Sequence, residues 1–387
     1  MFDPTYSAAL SRLKSFVPKA GRDYATGRNY DDPAHVSTLS PYIRHRILTE
    51  EEVLKATLAR HSPKAAEKFI QEVYWRTYWK GWLEMRPSVW MAYRGELGAA
   101  VNRVQTEGGL RREWEAACRG ETGIDAFDHW ARQLVETGYL HNHARMWFAS
   151  IWIFTLRLPW VLGADFFLRH LLDGDPASNT LSWRWVAGLQ TKGKTYLARP
   201  DNIEKYTKGR FRPDDLASHA VPLEGPPHPP RGPLPQTDAL PDPRTSALLI
   251  TEEDLSTGWL LDRFAPERTV VVQTTAARSP LDVSPQVVDF VEAAMQDHVD
   301  RMADRLGRVT FLRPEGLTDW CSDNDITKLV TSCIPTGPTK DALQSVPLAQ
   351  QVRPYDADAW PHATHGFFRF KEKIPGLLGR VTGLSAV

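Results

Sequence analysis

LLDGDPASNTLSWRW, residues 171–185, places two carboxylates, Asp173 and Asp175, an asparagine, Asn179, and two tryptophans, Trp183 and Trp185, on adjoining turns. A short Asp-Gly-Asp is ordinarily a solvated turn, and an asparagine just after it a cap. Here the turn runs directly into a Trp-rich stretch whose spacing predicts a helix over 178–187, which argues for a built site. Two other blocks share this mixed polar and aromatic character: TGYLHNHARM at 137–146 and STLSPYI at 37–43.

Outward from these blocks the chain reads as two parts. Apolar residues recur at helical spacing in EEEVLKATLARH (50–61), through Val53, Leu54, Thr57 and Leu58, and AAEKFIQEVYWRTYWKGWLEM (65–85) continues the pattern. Further helices are predicted at 125–137, 141–156 and 162–172, and no strand before residue 213. Between residues 213 and 243 lie ten prolines. Proline fixes φ and lacks an N–H, so 213–244 is an extended, semi-rigid linker and the expected domain boundary. Beyond it SALLITEEDL, RTVVVQTTA and GRVTFLRP are short β-branched runs, with the amphipathic SPQVVDFVEAAMQDHVDRMADRLG before the last and a further strand in ITKLVTSCIPTG. Strand, helix, strand spacing predicts a parallel α/β layer. The fold expected is therefore multidomain: all-helical over 1–212, a Pro-rich linker over 213–244, and a smaller α/β domain over 245–387.

The chain has 387 residues, 42% apolar and 24% charged, enough for two domains with their own cores. No apolar run approaches the roughly 20 residues of a membrane span. The opening MFDPTYSAAL lacks a signal-peptide layout, so a cytoplasmic location is expected. Cys118, Cys321 and Cys333 are too scattered for a disulfide framework or a metal cluster. The formal charge of zero conceals a division. Residues 1–212 carry 31 Lys and Arg against 23 Asp and Glu, and residues 213–387 carry 16 against 24. Only the first part suits a polyanion, although the opposite charges also suit docking of one part on the other.

The three blocks, in this order, resemble the FAD-binding helical domain of the photolyase and cryptochrome family, over residues 20 to about 212. The resemblance implies FAD. The loop Ser37, Thr38, Leu39, Ser40 would wrap the pyrophosphate, with Tyr24 and Arg76 as further phosphate-side contacts. Taken alone, that loop is a helix cap with proline in the first turn. One carboxylate of Asp173 and Asp175 would pair with Arg145 and the other would accept from the flavin ring edge. Asn179 would face flavin N5, and Asn142 lies in the same pocket. Trp183 and Trp160 match the inner and middle members of the family's electron-transfer chain. The outer member has no counterpart: Trp114, Trp130, Trp147 or Trp152 would substitute, or the chain stops at two. Eleven of 14 tryptophans precede residue 186, a number that core packing also explains.

On the substrate side the resemblance implies a cavity for a base dimer flipped out of DNA. Glu72 and Trp75 stand where the family contacts and stacks on the pyrimidines, and Asn142 with Met146 match the cyclobutane-dimer branch. Tyr139 stands where tryptophan is usual, and His143 where a DNA-contacting arginine is common. From Lys192 to Arg212 seven cations, among them Lys192, Lys194 and Arg199, face two acids, a composition for DNA phosphates or for a solvated basic face. GLQTKGKT at 188–195 satisfies the P-loop pattern, but follows a helix and not a strand, so nucleotide binding there is not expected.

The resemblance also implies an α/β antenna domain. SALLITEEDL is similar to that domain's first strand and turn, and WPHATHGFFRFKEKIP to segments near a domain end, so a circularly permuted arrangement is expected; the antenna chromophore, folate or deazaflavin, stays open. Two functions follow: light-driven splitting of cyclobutane pyrimidine dimers in DNA, favoured by Asn179, Asn142, Met146 and the basic tail, or a cryptochrome-like blue-light receptor with a protein partner, favoured by Tyr139, His143 and the missing outer tryptophan. A flavoprotein lacking both activities is the third.

Overall fold

The computed structural model describes residues 2–382. Its first part is wholly helical: α1 Tyr6–Phe16, α2 Arg22–Gly27, α3 Ser40–Arg44, α4 Glu50–Leu58, α5 Glu67–Glu84, α6 Ser88–Thr106, α7 Gly108–Arg119, α8 Asp125–Thr137, α9 Asn142–Ser150, α10 Trp160–His170, α11 Pro176–Val186 and α12 Pro200–Tyr206. Local signals set the ends. Thr49 and Glu52 form a reciprocal capping box on α4, and Gly120 and Gly138, both left-handed, close α7 and α8. α10 is buried from Trp160 to Arg169, as its nearly all-round apolar sequence requires, and packs on α6, α11, α9 and α8.

Residues 213–242 form no regular element, as their prolines dictate, but they do not hang free. The segment is strapped to both parts: Leu223 N–H donates to Ala187 O, Gly232 N–H to Met85 O, and Asp238 N–H to Gln350 O. The GLQTKGKT segment follows α11 and lies in turns.

The second part holds a five-stranded, fully parallel sheet in the order β3-β2-β1-β4-β5. The strands are β1 Ser246–Thr251, β2 Arg268–Val272, β3 Arg308–Leu312, β4 Lys328–Ser332 and β5 Leu348–Gln351. Among the helices around it are α13 Gly258–Leu261, α14 Pro285–Met302, α15 Leu317–Asp323 and α16 Pro338–Ala342. The chain then turns back as α17 Pro354–Ala359, α18 Phe367–Lys371 and α19 Ile374–Thr382. Alternate residues of a strand face opposite sides. Leu248 and Ile250 join one core, while Ala247 and Leu249 join a smaller one with Leu317 and Ile326.

The larger core runs without interruption from α1 to α19. The proline stretch divides the chain covalently, yet the two parts share one apolar interior. Charges cross the same seam. Arg44 of α3 makes two 2.8 Å bonds to Glu253 just after β1, Arg46 two 2.7 Å bonds to Asp356, and all four side chains are buried. The basic and acidic parts are complementary at this contact, which is the docking alternative that the charge division left open.

Candidate functional site

The turn between α10 and α11 is held from both sides. Leu172 N–H donates to Gly138 O, and Arg44 Nε donates to Gly174 O at 2.9 Å. Asp175 caps α11 by accepting from Ser178 N–H at 2.8 Å, with Pro176 in the first turn. Asp173 accepts from Arg145 Nη2 at 2.7 Å, and Arg145 is itself anchored by Leu140 O. Asn179 follows one turn later, its Nδ2 donating to Ala164 O at 2.8 Å. Trp183 follows another turn on and meets Phe167 edge-on at 5.1 Å and Trp152 at 6.3 Å. Gly163 permits this contact, since a Cβ there would lie 2.3 Å from the Trp183 ring. Asp173, Asp175, Asn179, Arg145 and Trp183 thus gather around one turn and one helix.

Asp175 is fully enclosed. Burial by itself would raise its carboxyl, but Lys80 Nζ at 3.8 Å and Arg76 at 3.9 Å, with Arg44 nearby, hold it below the usual carboxylate range. Arg76 also donates to Arg44 O and pairs with Glu50. The loop Ser37–Ser40 enters α3 through Thr38, whose φ of 50° is left-handed and costly for a residue with a branched side chain. Arg12 donates to its hydroxyl, and Leu39 N–H to Ser37 Oγ. Tyr24 packs between Phe16 and Phe69, and burial raises its phenol strongly.

The predicted substrate side is occupied by other parts of the chain. Glu72 pairs with Arg28. Trp75 stacks face to face on Phe367 of α18, centroids 3.6 Å apart and planes 12° apart. Tyr139 packs on Phe2 at 5.6 Å and lies under the Arg145 guanidinium. Asn142 is exposed at the start of α9 and Met146 half-buried. His143 stacks on Trp147 at 4.0 Å, with its ring nitrogens against Asn29 O and Tyr196 Oη. Burial lowers its pKa. In the basic stretch Lys208, Arg210 and Arg212 are paired to Asp32, Asp31 and Glu204. Lys192, Lys194 and Arg199 are exposed, with no ion pair among the described residues.

Of the four alternatives for an outer tryptophan, Trp152 touches Trp183. Trp130 and Trp147 stack on each other at 5.3 Å and anchor to Asp31 and Asn202. Sequence reasoning missed Tyr93, 5.7 Å from Trp160, and the Glu252–Asp254 loop behind Asp175. The acidic run ending a buried strand was a signal for the loop; nothing local marks Tyr93.

Residues 69–210 match the family profile described as the FAD binding domain of DNA photolyase. The match runs from α5 to α12, and this stretch is similar to the DNA photolyase family. Curated relatives named deoxyribodipyrimidine photo-lyase include those of Thermus thermophilus (34% identical over 198 residues, 50% of this chain and 45% of the relative) and Streptomyces griseus (32% over 212 residues, 51% and 44%). The Vibrio cholerae protein is 27% identical over 203 residues, 50% and 41%. Among solved structures, a bacterial class III photolyase from Agrobacterium tumefaciens is similar at 28% identity and a TM-score of 0.46, covering 54% of this chain and 44% of that one. The chain spans less than half the length of the curated relatives it matches.

The helical part suits the flavin that the matched profile implies. Asp173 Oδ1 and Asp175 Oδ2 are buried carboxylate oxygens without a hydrogen-bond partner, and Arg76 Nε and Trp183 Nε1 are buried donors in the same condition. Buried polar atoms are costly unless paired. A flavin ring edge carries both an imide N–H and carbonyl oxygens, the complementary set. Among the described residues no helix is long and apolar enough to cross a membrane.

Proposed function

We propose that the chain is a light-driven flavoprotein that splits cyclobutane pyrimidine dimers in DNA. The observation that carries this reading is the Arg145–Asp173 pair beside Asp175 and Asn179, with one oxygen of each carboxylate left without a hydrogen bond at the turn. In this reading Asp173, Asp175, Asn179, Arg145, Arg76, Tyr24, Asn142 and Ser37–Ser40 hold FAD. Bound flavin would supply the electron that opens the dimer. Arg145 orients Asp173, and Lys80 with Arg76 keeps Asp175 ionised and so able only to accept. Trp183 and Trp160 feed electrons inward. Glu72 and Trp75 read the base dimer, and Lys192, Lys194 and Arg199 meet phosphates. Residues 245–387, whose first strand ends in TEED, serve as the antenna-like domain; their contact behind Asp175 makes them part of the flavin support.

One observation favours a second reading, a blue-light receptor without repair. Trp75 is covered by Phe367 and Glu72 is already paired with Arg28, so the surface that would read a dimer is engaged within the chain.

Repair of a thymine dimer in single- and double-stranded oligonucleotides by the purified, photoreduced protein, with flavin content recorded, separates the two. Light-dependent return of thymine absorbance is expected. Bound flavin without repair would replace the lyase with the receptor, and absence of flavin would overturn both.

A further inference from the structure

Trp160 opens α10 with its ring buried, and its indole Nε1–H donates to Glu96 Oε2 at 3.2 Å. Glu96 lies on the exposed face of α6, so its carboxylate joins a buried aromatic ring to solvent. Two more rings of α6 lie behind, Tyr93 at 5.7 Å from Trp160 and Trp90 at 5.2 Å from Tyr93. Tyr93 is a poor next step. Its hydroxyl is buried without a hydrogen-bond partner, and burial pushes its pKa well above 10, so a phenol that must release its proton on oxidation has no acceptor in contact. Trp90 has an acceptor, Asp341 Oδ2 at 2.8 Å, but stands one ring further on.

Resting on the light-driven reading above, we propose that the electron path in this chain ends at Trp160 and that Glu96 is the proton acceptor that traps it there. One electron passes from Trp183 to the photoexcited flavin, the oxidant, and one from Trp160 to Trp183. Oxidised Trp160 then releases its Nε1 proton along the existing hydrogen bond to Glu96 Oε2. The balance closes with one electron on the flavin, a neutral indolyl radical at Trp160 and a protonated Glu96. Return of the electron alone would regenerate an indole anion, so recombination must wait for the proton. A carboxylate on this ring thereby does the work that an additional outer tryptophan would do.

The test is flash photolysis of the flavin-loaded full chain, reading the optical and electron-spin spectra of the tryptophan radical. Wild type should give the neutral radical. Glu96→Gln keeps a hydrogen-bond acceptor but cannot take the proton. It should shift the spectrum to the radical cation and shorten the life of the separated charges, while Glu107→Gln, just past the end of α6, changes neither. Tyr93→Phe and Trp90→Phe should leave the signal as in wild type. A neutral radical formed unchanged in Glu96→Gln, or a long-lived signal lost in Trp90→Phe, would overturn the trap. Wild-type protein with bound flavin but no tryptophan radical would overturn the light-driven reading and the trap with it.

Discussion

Asp175 does two jobs with its two oxygens: one caps α11 at Ser178 N–H, and the other faces Lys80 and Arg76. Asp175→Ala removes the cap, worth about 1 kcal/mol, and takes away one of the two carboxylates facing each of Lys80 and Arg76, worth about 1–3 kcal/mol more. Flavin occupancy of the purified protein should fall along with the melting temperature. Thr49→Ala, which removes the capping box of α4, should cost about 1 kcal/mol and leave occupancy unchanged. Equal flavin loss in both variants would show that occupancy follows stability alone. Gly163→Ala makes the complementary change, driving a methyl into the Trp183 ring. It should cost about 1–3 kcal/mol through overpacking and slow light-driven flavin reduction, measured as bleaching of the oxidised flavin band. These side chains were legible in the sequence because Asp173, Asp175, Asn179 and Trp183 follow one another on one turn and one helix. Glu253, whose carboxylate takes both Arg44 bonds behind this turn, lies 209 positions from its partner. Pairing over such a separation leaves no local trace.

At the scale of elements, α18 is the piece that bears on function. Phe367 and Phe370 insert into the aromatic face of α5, on Trp75, Tyr78 and Tyr74, while Phe368 beside them is 82% exposed. Phe367→Ala should cost about 3–5 kcal/mol as a buried aromatic truncation and free one face of Trp75. If that face reads a base dimer, affinity for a dimer-bearing single-stranded oligonucleotide should rise, as followed by Trp fluorescence, with the flavin spectrum intact. Unchanged affinity together with unchanged repair would remove Trp75 from the substrate side. The elements themselves were readable where one signal dominated. α4, α5, α8 and α11 follow the helical period, and β1 and β2 carry the continuous apolar runs ALLI and VVV, as strands covered on both faces do. α6 lay outside the predicted helices because Gly95 and Gly98 interrupt its pattern, and its packing on α7, α10 and α11 sustains it. β5, LAQQ, is short and polar, and its pairing with β4 defines it.

In the whole molecule the covalent boundary and the physical one do not coincide. The proline stretch was rightly expected to be irregular, but an apolar core shared by α1, α5, α14 and α19 makes the parts interdependent. A single unfolding transition is expected, although an independent melting of residues 245–387 would be the ordinary behaviour of a linked domain. The seam also sets the response to acid. Burial raises Glu50, Glu253, Asp254 and Asp175 on its own, but the arginines and Lys80 against them prevail, and all four are held below their ordinary values, Glu50 at about 2. A carboxyl depressed in the fold contributes its full stabilisation above its unfolded value and loses it as pH falls through the folded one, about 1.4 kcal/mol per pH unit for each group. The buried His298, lowered by burial to about 4, loses stability in the same direction between 6.5 and 4. Glu84, Glu252 and Asp165, raised by burial, act oppositely, but only above the ordinary carboxylate range. Below about pH 3.8 every one of these slopes is therefore either flat or destabilising. The thermal midpoint should fall steeply from about pH 3.8 toward 2, in one transition and with little relief from salt, because the pairs are buried. Glu253→Gln should lower the midpoint at pH 7 and flatten this acid limb. A limb unchanged in that variant would mean that the buried charges are not what holds the two parts together.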